Sequence, residues 1–159
     1  MIKPGQSTPV LDKMLNIYSN GTLLPKLVFI SAGWKSTTIK EHSGNTADVI
    51  TRQMPLADLY LDCRVIPNPT FISGIGATGD DPRMQEWVEE NAQAYVKSFS
   101  QLIIDGLQQV PSRRKGKDNP WEAPYIICTM CAHGIHRSRS MKHILARKMR
   151  AGGWNVEIK

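Results

Sequence analysis

Hydrophobic residues fall along this chain in two different periods. Residues 27–32, Leu-Val-Phe-Ile-Ser-Ala, form a continuous apolar run rich in branched and aromatic side chains. Bounded by Pro25 and Gly33, the run predicts a buried strand. Residues 57–66 alternate and then run apolar as a second strand, stopped by Pro67 and Pro69 because proline cannot donate to a strand ladder. Residues 124–129, Pro-Tyr-Ile-Ile-Cys-Thr, predict a third short strand, and residues 154–158 a last one.

Elsewhere the pattern takes the helical period. From Pro82, well suited to a first turn, Met84, Trp87, Val88, Tyr95, Phe99, Leu102, Ile103, Leu107 and Val110 fall on one stripe. They predict the longest element, a helix with Trp87, Tyr95 and Phe99 in the core, ended by Pro111. Met141, Ile144, Leu145, Lys148 and Met149 mark another helix, closed by Gly152 and Gly153. Residues 1–26 hold scattered proline and glycine around a short helical pattern, and read as an N-terminal adapter segment to a domain over 27–159. Residues 34–55, 71–81 and 112–122 are polar or turn-rich connections. Strands separated by helices predict an α/β fold with a mainly parallel sheet flanked by helices. In such sheets ligands bind beyond the carboxyl ends of the strands, where strand gives way to loop and helix.

The 159 residues, 41% hydrophobic, suffice for one core. No apolar run is long enough for a signal peptide or a membrane span. Three cysteines, an odd number, argue against a disulfide framework, so free thiols in the cytoplasm are expected and a membrane partner is not. The net charge of +6 fits an anionic ligand or RNA, and half of the twenty basic residues lie in two clusters. One is Arg113, Arg114, Lys115 and Lys117; the other runs from Arg137 through Arg139, Lys142, Arg147 and Lys148 to Arg150.

The second cluster begins inside residues 131–138, Cys-Ala-His-Gly-Ile-His-Arg-Ser, which stand between a predicted strand and a predicted helix. Each fixed residue there has a part in handling a phosphate dianion. Gly134 permits the sharp turn that points successive N–H groups of Ala132, His133, Gly134, Ile135 and His136 inward. The following helix offers unpaired first-turn donors and the positive end of its dipole. Arg137 can hold two phosphate oxygens side by side. Cys131, facing the same donors and Arg137, should ionise readily and so become a nucleophile, with Ser138 hydrogen-bonded to the thiolate. In-line attack on phosphorus would give a phosphocysteine, and an aspartic acid, Asp62 or Asp81, would protonate the leaving oxygen. Asp80 or Asp81 also suits a helix cap ahead of Pro82.

These residues resemble the Cys-x5-Arg-Ser/Thr signature of the cysteine-dependent protein tyrosine phosphatases. The leading expectation is therefore a phosphatase acting on a phosphorylated small molecule or a phosphoprotein, with no cofactor. Zinc is weighed for Cys128, Cys131, His133 and His136, but this run is tighter than the usual two-knuckle spacing, so no metal is expected. Cys128 either faces the core or pairs reversibly with an oxidised Cys131. His136 reads as a hydrogen-bonding residue that shapes the loop.

Over a longer span the chain resembles the C-terminal domain of the RNase adapter protein RapZ, whose core carries Gly-Cys-Thr-Gly-Gly-x-His-Arg-Ser. Residues 130–138 match that element; Ser31-Ala32-Gly33-Trp34-Lys35, residues 57–69 and Thr78-Gly79-Asp80-Asp81 match three further blocks in order. Asp62, Arg64, Asn68 and Pro69 agree residue for residue, which brings Asp62, Arg64 and Asn68 into the candidate site. The resemblance implies a site for phosphate or a phosphosugar, and RNA and enzyme partners for the full-length adapter. The chain contains no Gly-x4-Gly-Lys-Ser/Thr, carries no basic tail beyond Lys159, and has His133 where the family has glycine. Two rival expectations follow: a non-catalytic binder of a phosphorylated metabolite, and a basic RNA-binding module.

Overall fold

The computed structural model describes residues 26–34, 54–69 and 78–159. The expected adapter over 1–26, apart from Lys26, and most of the 34–55 connection lie outside them. Four strands form one sheet: β1 (Lys26–Gly33), β2 (Leu59–Asp62), β3 (Tyr125–Cys131) and β4 (Asn155–Ile158). Their order is β2-β3-β1-β4 and every neighbouring pair is parallel, so the α/β expectation holds. The helices among the described residues are α1 (Pro82–Asn91), α2 (Gln93–Gln108), the short α3 (Val110–Arg113) and α4 (Arg137–Ala151).

The main core lies between one face of the sheet and the helices. Leu27 and Phe29 of β1 and Ile127 and Cys131 of β3 meet Val88, Phe99, Ile103, Leu107, Met141, Ile144 and Leu145 there. The other face carries a smaller cluster, Ala32, Cys128 and Met130, packed by Ile30, Trp34, Met54 and Ala57. Burial on both faces is what a parallel sheet requires, and it explains why β1 and β3 read as unbroken apolar runs.

Three expectations about elements are corrected. The strand expected over 57–66 pairs only from Leu59 to Asp62, because the Asp62 carboxylate accepts the Arg64 N–H and caps a 3-10 turn over Cys63–Val65. The single long helix is two helices, broken at Ala92 with φ −128° and ψ 31°. There the Asn91 side-chain amide donates to the Trp87 carbonyl at 2.9 Å, a local bond that competes with helix continuation. Beyond the break the buried stripe is Val96, Phe99, Ser100, Ile103, Ile104 and Leu107, while Tyr95 and Leu102 stand exposed beside it. Finally, Pro111 does not terminate the helical stretch but sits in the first turn of α3, where a missing N–H costs nothing.

Candidate functional site

The carboxyl ends of β1, β2 and β3 meet the start of α4, and most of the expected site residues are there. The turn from β3 into α4 depends on Gly134, whose φ is +72°. A side chain at that position would also bring a Cβ within 2.6 Å of the Gly33 backbone nitrogen. The loop therefore lies directly on the end of β1. The Trp34 N–H donates to the Cys131 carbonyl at 2.7 Å and joins the two strand ends on the same side.

Inside the loop, Cys131 is buried, and its Sγ lies 3.1 Å from Ser138 Oγ and 3.2 Å from the Gly134 nitrogen, which donates to it. Burial opposes ionisation of this thiol and is the largest single influence on it. The Ser138 hydroxyl and the N–H groups of Ser138, Gly134 and His133 together outweigh burial, and the thiol ionises below its ordinary value. Ser138 is held in turn by Thr129, whose hydroxyl donates to the Ser138 carbonyl at 2.7 Å. The nest foreseen around an anion is thus built around the Cys131 sulfur, with the Ser138 hydroxyl as one of its members.

Arg137 opens α4 and reaches across to β2. Its Nη1 donates to the carbonyls of Arg64 at 2.9 Å and Ile66 at 3.4 Å, so it braces the 3-10 turn as well as flanking the loop. Arg64 is gripped by Asp62 through Nε at 2.9 Å and Nη2 at 2.7 Å, and its guanidinium stands 5.1 Å from the centre of the Trp34 ring. The hydrogen bond from Arg64 holds the Asp62 carboxyl below the usual carboxylate range. Asn68 lies exposed just past this turn, and His133 and Ile135 are exposed on the loop.

A second contact supports the loop from the other side. The Gly79 N–H donates to the Ile135 carbonyl at 2.7 Å, and a Cβ on Gly79 would fall 2.4 Å from the Ser140 nitrogen. Asp80 then ties this turn to α4 by accepting from Arg139 at 3.3 Å and pairing with His143 Nε2 at 2.9 Å. Thr78 and Gly79 were visible in the sequence only as part of a matching block and Asp80 also as a cap candidate, and nothing there pointed to His143, 63 residues away from Asp80. Trp34, likewise matched but not singled out, is the third residue of the Asp62–Arg64 stack.

Asp81 does not join the site as an acid. It caps α1, accepting the Arg83 N–H at 2.9 Å, and pairs with the Arg83 side chain, which holds its carboxyl low. Neither candidate aspartate is poised to carry a proton near neutral pH, because both stabilise the ionised form through an arginine two residues on. Cys128 and Cys131 point to opposite faces of the sheet, so their spacing gathers neither a metal site nor a disulfide. No helix among the described residues is long and apolar enough to cross a membrane.

Comparison with known proteins bears on the chemistry. Residues 28–159 match the family model described as the RapZ C-terminal domain. A nucleotide-binding protein of Anaeromyxobacter dehalogenans is 33% identical over 103 residues, covering 64% of this chain and 33% of that protein. One from Desulforamulus reducens is 33% identical over 106 residues, covering 65% and 33%. Another from Thermus thermophilus is 33% identical over 104 residues, covering 64% and 35%. The chain spans about a third of the length of these relatives. The phosphatase expectation is corrected by this kinship, because the relatives are named for binding nucleotides. A loop that shares its sequence pattern with phosphatases here stands in another family, and the chain belongs to the RapZ C-terminal domain family.

Proposed function

We propose that the domain binds a phosphorylated small molecule at the carboxyl edge of its sheet and holds it without turnover. The observation that carries this reading is the meeting of Arg137, which reaches the Arg64 carbonyl, with the Gly134 loop at the N-terminus of α4. Such a terminus favours negative charge through its unpaired first-turn donors and its dipole. Arg137 spends Nη1 on two carbonyls, which orients the rest of the guanidinium in advance. The backbone of residues 132–136 frames the phosphate, and Asn68, Arg64 and Trp34 flank the remainder of the ligand. A nucleotide is the first candidate, since the relatives carry that description.

The test is thermal unfolding with inorganic phosphate, a nucleoside monophosphate, a nucleoside triphosphate and a hexose phosphate, each offered to wild type and Arg137→Ala. A ligand at a hundred times its Kd stabilises by about 2.7 kcal/mol, a rise of several degrees for a domain of this size. At least one phosphorylated compound should raise the midpoint of wild type, and Arg137→Ala should lose the rise. Each compound should be recovered unchanged. An absence of any shift, or an equal shift in both proteins, overturns the site.

A further inference from the structure

We propose that Cys63 and Cys131 are a redox pair, in which a hydroperoxide oxidises Cys131 and Cys63 closes a disulfide onto it. The sheet brings them together. β2 and β3 run parallel with Leu61 opposite Thr129 and Asp62 opposite Met130. One step further along both chains stand Cys63 and Cys131. Neighbouring strands lie about 4.8 Å apart, within the roughly 4.4–6.8 Å between Cα atoms that a disulfide spans.

Side-chain alternation puts both thiols on one face. Cys63 stands two residues past Leu61 and Cys131 four past Ile127, both even spacings, and all four belong to the core on the helical side. Cys128, the partner suggested by spacing along the chain, belongs to the cluster on the opposite face. Cys63 opens the 3-10 turn one residue beyond the last paired residue of β2, and its carbonyl accepts the Ile66 N–H at 3.3 Å.

The two sulfurs differ in chemistry as such a pair requires. Cys131 is the thiolate-prone member, surrounded by the donors of His133, Gly134 and Ser138. Cys63 is kept neutral first by burial and next by the negative charge of Cys131. The Cys131 thiolate attacks one peroxide oxygen. The O–O bond breaks, a sulfenic acid forms, and the other oxygen leaves as water or alcohol after taking a proton. Cys63 sulfur then attacks Cys131 sulfur, the S–O bond breaks, and the departing hydroxyl takes the Cys63 proton as water. Two thiols have lost two electrons and two protons to one hydroperoxide.

The experiment treats the intact chain with hydrogen peroxide, alkylates the remaining thiols and maps cysteines by mass spectrometry. In wild type and in Cys128→Ser, the peptide ending at Arg64 should be found linked to the peptide that carries Cys131, and reductant should release it. In Cys63→Ser the link should vanish and Cys131 should advance to sulfinic acid. The Cys128→Ser protein keeps the assignment decisive, because Cys131 is then the only cysteine on its peptide. A Cys128-containing disulfide, or a sulfinic Cys131 in wild type with Cys63 still alkylated, would overturn the pair. So would an unoxidised Cys131 at peroxide levels that convert a free cysteine.

Discussion

Each end of the sheet is held by an arginine, and the two arginines do opposite things. At the amino end, Arg114 donates to the carbonyls of Pro120, Ala123 and Pro124 at 2.8, 2.8 and 3.1 Å and pairs with Asp58 at 3.3 Å. Asp58 in turn accepts the Ile126 N–H at 2.7 Å and links β2 to β3. Arg114 has closed its donors on the protein itself. At the carboxyl end, among the described residues, Arg137 gives Nη1 to backbone carbonyls and stands at a helix start beside a loop of N–H groups. Both belonged to basic clusters of the sequence, and charge did not tell them apart. What separates them is the number of acceptors the fold supplies nearby.

The largest effect should come from disturbing the carboxyl end at its turn. Gly134→Ala forces a β-carbon into a positive-φ position and against the backbone of Gly33. Strain of this kind costs on the order of 1–3 kcal/mol before the clash is counted. Urea unfolding should show a lower midpoint, and phosphate-dependent stabilisation should disappear with it. Wild-type stability in the Gly134→Ala protein would mean that the loop can leave β1 freely, and the distinction between the two ends would fail.

Next comes Arg114→Ala, which strips three carbonyls and Asp58 of a charged partner. Hydrogen bonds to charged groups contribute about 1.5–3 kcal/mol each when lost from buried settings. Arg114 is only partly buried, so about 2 kcal/mol for the whole cluster is the expected loss. Ligand-induced stabilisation should survive unchanged. Arg137→Ala is the mirror experiment, with a smaller loss of stability and a complete loss of binding. Swapped outcomes would reverse the roles given to the two arginines.

How much of this was legible beforehand follows from the range of each interaction. β1, β3 and α4 were readable because a strand buried on both faces and an amphipathic helix write their periods over about six or more residues. The loop was readable because its fixed residues, from Cys131 to Ser138, lie within one short stretch. The end of β2 was not, since it depends on the Asp62 carboxylate turning back to Arg64, a bond that competes with the ladder only once both strands are in place. The break at Ala92 coincides with the bond of the Asn91 amide, and beyond it Tyr95 lies outside the core expected for it. Asp81 shows the limit most plainly. Cap and acid demand the same residue at the same place, and only its partner, Arg83, decides between them.

The smallest predicted effect isolates the sulfur at the centre of the carboxyl end. Folding lowers the Cys131 pKa below its ordinary value of 9.0, so the unfolded chain holds this proton more tightly than the folded one. The contribution is therefore fully present above the unfolded pKa and is lost as pH falls through the folded pKa. Between those two values the stability of wild type should climb with pH relative to Cys131→Ser, whose hydroxyl does not titrate there. Unfolding by urea at a series of pH values from neutral to about 9 measures the difference, and subtraction removes every other titrating group common to both proteins. The amino end offers the control, since Arg114→Ala should shift the whole curve without changing its slope. A wild-type curve that falls with pH relative to Cys131→Ser would mean that burial governs Cys131, and parallel curves would mean that the donors of His133, Gly134 and Ser138 no more than offset it.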